Sequence, residues 1–366
     1  MTELVDIESV RDRVNARLRT HVTDVAELIN DISPQTHPLT EELAGLLDGG
    51  KRLRAAFCYW SWRAHGGESA GPGADSVIDV MAALELFQAA ALFHDDVIDD
   101  SDVRRGRPTA HRSFAAQARE LGAPAPDPFG VAAAILLGDL TLLLAQRVFA
   151  NAVAIPELAN QAMATQDVFG HMQIEVMAGQ YLDILGQVAD WTHDPLLAEQ
   201  HALSVVRAKS ARYSVEHPLA MGALLAGADP TAVTRIRAYG LPVGVAFQLR
   251  DDFLGVFGDP AVTGKPAGDD LREGKRTVLI TRTYQLAETG DRTFIRDRLG
   301  APDLSSAEID RFRSIITSSG ASDQVEALIA QHTATGLAAL TEAPPLAEPG
   351  LGMLVELAAA ATDRQV

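Results

Sequence analysis

VIDVMAALELFQAAALFHDDVIDDSDVRRGRPTAH, residues 77 to 111, begins as an apolar run and ends in dense charge. Between Val77 and His94 the apolar residues Met81, Leu84, Phe87, Ala91 and Leu92 recur at three- and four-residue spacing, which predicts a helix with a buried stripe. Continuing that register puts Asp95 and Asp99 one and two turns beyond Ala91, on the side that should be buried. Five aspartates occupy the eight positions from 95 to 102, and Arg104, Arg105 and Arg107 follow. The cluster also falls at the C-terminal end of the helix, where the macrodipole is negative and carboxylates cost stability. Local rules broken in this way mark a functional site. A hard divalent cation such as Mg²⁺ takes oxygen ligands, bridges to substrate phosphates and offsets both the repulsion and the dipole.

A second acidic pair, Asp251 and Asp252 in FQLRDDFLGVFGDP (247 to 260), ends another helix-like run just before a loop rich in Gly and Lys. Two such helix ends facing each other across a cavity are expected to hold a polyphosphate between them. The cations match. Lys51 and Arg54 lie one turn apart in GGKRLR (49 to 54), and Arg104 and Arg105 follow the first cluster. Lys209 and Tyr213 form an i,i+4 pair, and Lys265 and Lys275 flank the second cluster. The ligand implied is a diphosphate, held partly by metal and partly by Arg and Lys.

The rest of the chain narrows the class. Its 366 residues are 47% hydrophobic, 22% charged and only 5% aromatic, which suits a mostly helical protein. Breaks at 65 to 76, 122 to 130, 258 to 270 and 342 to 350 read as loops between helices, and none has the composition of an interdomain linker. The expectation is one all-α domain over 1–366. A formal net charge of −18 argues against nucleic acid and against an anionic membrane as partners. The most apolar stretch, from 130 to 150, is interrupted by Asp139 and Arg147, so no clean membrane span is expected. With no leader-like start and a single Cys58, read as a buried structural thiol, the expected location is the cytoplasm.

These residues resemble the trans-isoprenyl diphosphate synthases, the head-to-tail prenyltransferases. DDVID (95 to 99) is similar to the family's first aspartate-rich motif and FQLRDD (247 to 252) to the opening of its second. GGKRLR, RRG (104 to 106), GQYLD (179 to 183), AKSARY (208 to 213) and GKPAGDDLREGKRT (264 to 277) follow the family order, over about residues 45 to 280. The resemblance implies an antiparallel helical bundle around a deep apolar cavity, usually a homodimer.

It also implies roles. Asp95, Asp99 and Asp251 would bind about three Mg²⁺ ions bridging to an allylic diphosphate, with Asp96 and Asp252 as supporting carboxylates. Arg104, Lys209, Lys265 and Lys275 would hold that diphosphate, with Gln180, Asp183 and Ser210 nearby and Gln248 beside the reacting carbons. Lys51, Arg54 and Arg105, with Gln88, would bind isopentenyl diphosphate without metal. Gly255 stands where the second motif usually has its last Asp, Gln88 where a His is common, Ser210 for a Thr and Ala55 for a Pro.

Product length should follow from the residues before the first motif. Ala90 and Ala91 leave the tunnel open, and Phe87 stands one turn deeper, about 5.4 Å along the helix. The expectation is a C20 product, geranylgeranyl diphosphate, from a dimethylallyl, geranyl or farnesyl diphosphate starter, with C15 or longer as alternatives. A class I terpene cyclase would lack the second diphosphate site. A non-catalytic subunit of the same fold would have lost acidic-motif residues.

Overall fold

Proline at the first helical position suits a helix start, because the N–H it lacks is one the helix leaves unbonded there. This chain uses it repeatedly, so the breaks expected at 65 to 76 and 122 to 130 end early: helix α4 (Pro72–Ile98) starts at Pro72 and α6 (Pro126–Val153) at Pro126. The computed structural model describes residues 7–189, 191, 194–258, 268–341 and 345–363. Among them the regular structure is helical except for one two-stranded hairpin, so the fold is all-α.

The described residues form two compact units. One lies within Val5–Gln166 and Met221–Gly227. It contains α1 (Val10–Asn30), α2 (His37–Leu47), α3 (Leu53–Ala64), α4, the hairpin strands β1 (Val103–Arg104) and β2 (Arg107–Pro108), α5 (Ala110–Glu120) and α6. Helix α4 packs against α1, α2, α3, α5 and α6, and Met81, Leu84 and Phe87 are fully enclosed. Each such side chain contributes roughly 1.5–3 kcal/mol by leaving water.

The other unit lies within Asp167–Ala220 and Ala228–Val366. Most of α7 (Ala162–Val188) belongs to it, with α8 (Pro195–Val205), a π-helical segment (Val206–Glu216), the first turn of α9 (His217–Leu225) and α10 (Pro230–Phe257). Leu249, Phe253, Val278, Phe312, Ile316 and Ile329 join in its core. Between α10 and the π segment backbones meet closely: a Cβ on Gly244 would lie 2.9 Å from the carbonyl carbon of Ala211.

Helices α4 and α6 are long and apolar enough to cross a membrane by length and composition. Most of the apolar window of α4 is buried within the chain, whereas that of α6 is less than half buried and leaves Ile135, Leu136 and Leu143 exposed.

Candidate active site

The end of α4 explains how five aspartates coexist there. Asp100 adopts φ 51°, and the amide of Ser101 donates to the carbonyl of Asp96 at 3.0 Å, with Asp100 N–H reaching Val97. This is a Schellman closure with an aspartate in the left-handed position usually held by glycine. It turns the chain back so that cations from the following segment reach the helix end. Arg112 donates to Asp100 and Asp102 at 2.8 Å each, and Arg104 Nε to Asp96 Oδ1 at 2.8 Å. Asp96 is buried, whereas Asp95 and Asp99 are only half-buried, and Asp95 lies 3.6 Å from Arg104. The half-buried stripe of α4 runs back from Asp99 through Asp95, Leu92 and Ala91 to Gln88, beside the enclosed Phe87 and Ala90.

Arg104 is held in place by the hairpin, whose turn residues Arg105 and Gly106 have φ 53° and 73°. Two successive positive φ angles match the right-handed twist of a tight hairpin. Arg105, exposed at the turn, donates to the carbonyl of Leu46 at 2.7 Å and lies over Gly50. Partial burial and the neighbouring Arg52, Arg104 and Arg54 pull its pKa below the ordinary guanidinium value, against the opposing charge of Glu85. Four arginines therefore crowd one place next to the acidic helix end, an arrangement that a bound dianion would stabilise. Lys51 is exposed and Arg54 half-buried on the same turn.

In the other unit, AKSARY falls in the π segment, so Lys209 and Tyr213 are not neighbours on an α-helical face. Helices of this type concentrate at functional sites. The segment lies close against α7, where a Cβ on Gly179 would be 2.5 Å from the Lys209 nitrogen and 2.8 Å from its Cα. That approach brings Lys209 Nζ to 2.6 Å from Asp183 Oδ2, with Gln180 and Ser210 half-buried nearby in sequence. Glu175 braces the segment, accepting from Arg212 and pairing with His217 Nε2 at 2.6 Å.

At the second acidic motif Asp251 is exposed and Asp252 buried, accepting from Gln248 Nε2 at 2.6 Å. Burial, with the carboxylates of Asp270 and Asp251, pushes the pKa of Asp252 well above the usual carboxylate range. A Cβ on Gly255 would lie 2.7 Å from Cγ of Asp270 and closer still to one of its oxygens. A carboxylate from the short helix Asp269–Arg272 thus fills the space at Gly255, with Lys275 Nζ 3.8 Å from Asp270 and paired with Glu273. Lys265 lies outside the described residues.

Among the described residues no group of three or more His, Cys, Asp or Glu side chains converges as a metal cage. The exposed carboxylates are hard oxygen donors, a set suited to Mg²⁺ when substrate oxygens complete the coordination.

Residues 37–316 match the model of the family described as polyprenyl synthetase. The chain belongs to the polyprenyl synthetase family. It is 35% identical over 278 residues to the geranylfarnesyl diphosphate synthase of Aeropyrum pernix, covering 76% of this chain and 79% of that protein. It is 30% identical over 270 residues to the geranylgeranyl diphosphate synthase of Sulfolobus acidocaldarius, covering 73% of each. Among solved structures, a geranylgeranyl pyrophosphate synthase from Corynebacterium glutamicum, complexed with isoprenyl diphosphate and magnesium, aligns with a TM-score of 0.90 and 38% identity. That alignment covers 99% of this chain and 100% of that one.

Membership in the polyprenyl synthetase family accounts for the acidic helix ends, and the geometry adds residues that the motifs did not single out. Arg52, inside GGKRLR, is 5% exposed and bonded to the equally buried Glu85. Glu85 was detectable as a carboxylate within a long apolar run, and Asp270 as the last acid of the break at 258 to 270. His94 lies over Gly138 with Nε2 3.3 Å from both the Ile135 carbonyl and the Asp139 carboxylate, and the buried His111 lies 3.8 Å from Asp100.

Proposed function

We propose that this polyprenyl synthetase family member, a prenyltransferase, condenses isopentenyl diphosphate with an allylic diphosphate and makes geranylgeranyl diphosphate as its main product. The observation that carries the reading is the half-buried Asp95 and Asp99 pair beside Arg104 and the crowded Arg52, Arg54 and Arg105.

In this reading Asp95, Asp99 and Asp251 hold about three Mg²⁺ ions. When bound, these supply positive charge that stabilises the departing allylic diphosphate. Asp96 and Asp252 support the ligands from buried positions, and Asp96 orients Arg104 toward the diphosphate. Lys209, set by Asp183, binds the same group with Lys265 and Lys275, and Gln180 and Ser210 line its surroundings. Lys51, Arg54 and Arg105 hold isopentenyl diphosphate, with Gln88 donating an amide hydrogen bond. The C–O bond of the allylic substrate breaks with its electron pair leaving on diphosphate. The isopentenyl double bond then attacks the allylic cation, and a proton passes to the released diphosphate. Gln248 lies beside the reacting carbons.

The tail passes Ala91 and Ala90 and stops at Phe87, whose complete enclosure suits a floor. The whole chain acts as one catalytic domain in the cytoplasm. The exposed Ile135, Leu136 and Leu143 of α6 favour a homodimer. The test is incubation with Mg²⁺, isopentenyl diphosphate and dimethylallyl, geranyl or farnesyl diphosphate, with products sized by mass spectrometry. A ladder ending at C20 supports the reading, a C30 or longer product removes Phe87 as the floor, and no elongation with any starter overturns the synthase.

A further inference from the structure

The turn that carries Lys51 and Arg54 is conformationally costly. Gly49, Gly50 and Arg52 have φ 84°, 93° and 53°, and Arg52 is no glycine. A left-handed arginine persists only where its surroundings over-determine it. Here they do. Arg52 Nε donates to Asn15 Oδ1 at 2.9 Å, one terminal nitrogen to Glu85 Oε2 at 3.2 Å, and the other to the carbonyl of Leu47. The guanidinium is thus fastened to α1, to α4 and to the last turn of α2. Glu85 also accepts weakly from the amide of Ala55 at 3.4 Å, in the first turn of α3.

A guanidinium and a carboxylate this deeply buried are a poor source of net stability, because desolvation cancels most of their attraction. Their effect is geometric. Arg52 immediately follows Lys51 and caps the start of α3, on which Arg54 is the second residue. Glu85 sits one turn before Gln88 on α4. Fixing Arg52 to Glu85 therefore fixes the spacing between the two parts of the chain assigned to the metal-free diphosphate.

We propose that the buried Arg52–Glu85 pair is a positioning strut that holds the GGKRLR turn in register with α4 and so sets the affinity of the isopentenyl diphosphate site. This rests on the function proposed above. Arg52 touches no substrate; it acts through Lys51 and Arg54. Displacement of a binding group by about 1 Å is enough to cost one to two orders of magnitude.

The decisive variant is the double substitution Arg52→Gly with Glu85→Gln. Glycine accepts the left-handed angle and is a tolerated helix cap, and the glutamine leaves no buried charge behind. Inorganic diphosphate is titrated by calorimetry in EDTA against the full chain, alongside a thermal melt. The expected result is about tenfold weaker diphosphate binding. In turnover, KM for isopentenyl diphosphate rises about tenfold while kcat and the allylic KM stay within about twofold. Unchanged affinity overturns the strut, including when the melting temperature falls, because a merely structural pair would behave that way. If the double variant does not fold, Glu85→Asp, which shortens the arm by one methylene, is measured in the same way, and wild-type affinity again overturns the proposal. A wild-type protein that binds diphosphate in EDTA but elongates nothing sinks the synthase reading and leaves the strut standing. One that binds no diphosphate in EDTA sinks the strut.

Discussion

Substituting Gly255 by alanine tests whether the carboxylate of Asp270 really occupies the space that the shortened acidic motif leaves open. The added Cβ would sit 2.7 Å from Asp270 Cγ, inside any normal contact, so one of the two must move. Crowding of this kind costs about 1–3 kcal/mol. Replacing glycine by alanine within α10 returns about 1 kcal/mol of helix propensity. The net expectation is a loss of about 0–2 kcal/mol, or a melting temperature lower by up to about 4 °C at roughly 2 °C per kcal/mol. In an Asp270→Ala background the obstruction is gone, and Gly255→Ala should then stabilise by up to about 1 kcal/mol. The sign of the effect reverses between backgrounds, with a coupling of about 1–3 kcal/mol. Thermal melts of the four proteins of the cycle, without metal, supply the measurement. Equal shifts in both backgrounds would refute the placement of Asp270 against Gly255. The companion swap, Gly255→Asp with Asp270→Ala, should keep the wild-type Mg²⁺ requirement for turnover, because it returns a carboxylate to the same space.

Three further outcomes are expected. Asp252 holds its proton in the folded chain at pH values where the unfolded chain, with an ordinary carboxylate pKa near about 4, has lost it, so metal-free stability falls as pH rises above about 4. Asp252→Asn should therefore raise the melting temperature at pH 8 and not at pH 3.5, while lowering Mg²⁺-dependent turnover; an equal gain at both pH values would contradict the buried-carboxylate account. Gly179→Ala should push the π segment away from α7 and part Lys209 from Asp183, raising the allylic KM about tenfold with the isopentenyl KM unchanged. Equal changes in both constants would show that Lys209 is not confined to the allylic side. Ala91→Phe, on the half-buried stripe above Phe87, should shorten the main product by at least one isoprene unit in mass spectrometry, and an unchanged product would remove this helix face from the tunnel wall.

What was legible in the sequence depended on whether its cause was local. The stripe of Met81, Leu84 and Phe87 is a periodicity along one helix, and α4 forms where that periodicity lies. Proline's fit to the first helical turn is also local, yet loop composition hid it, and the starts at Pro72 and Pro126 came earlier than the Gly-rich breaks suggested. The hairpin at 103 to 108 escaped because strands of two residues are too short to alternate, although Arg105-Gly106 is a turn pair. The π segment was not legible at all. Its closeness to α7 and α10 depends on Gly179 and Gly244, each more than 25 residues away along the chain from the backbone it meets.

The same distinction sorts the cations. GGKRLR presents Lys51, Arg52 and Arg54 with nothing in their order to say which turns inward, because that choice depends on Glu85 and Asn15, 33 and 37 residues away. Spacing of one turn singled out Lys51 and Arg54 as ligand-binding charges and passed over Arg52. Burial divides the three: Arg52 is enclosed, Arg54 half-buried and Lys51 exposed. The aspartates divide in the same way, with Asp96 and Asp252 buried beside their acidic neighbours Asp95 and Asp251, which reach solvent. At each of these sites one charge of a pair is fixed by hydrogen bonds inside the protein while its sequence neighbour is left facing outward. A charge fixed by its own fold loses little further freedom when a ligand arrives, and the outward charge then meets that ligand from a set position. On the function proposed above, crowding like charges in the sequence is therefore not redundancy: the buried member would supply the placement and the exposed member the contact.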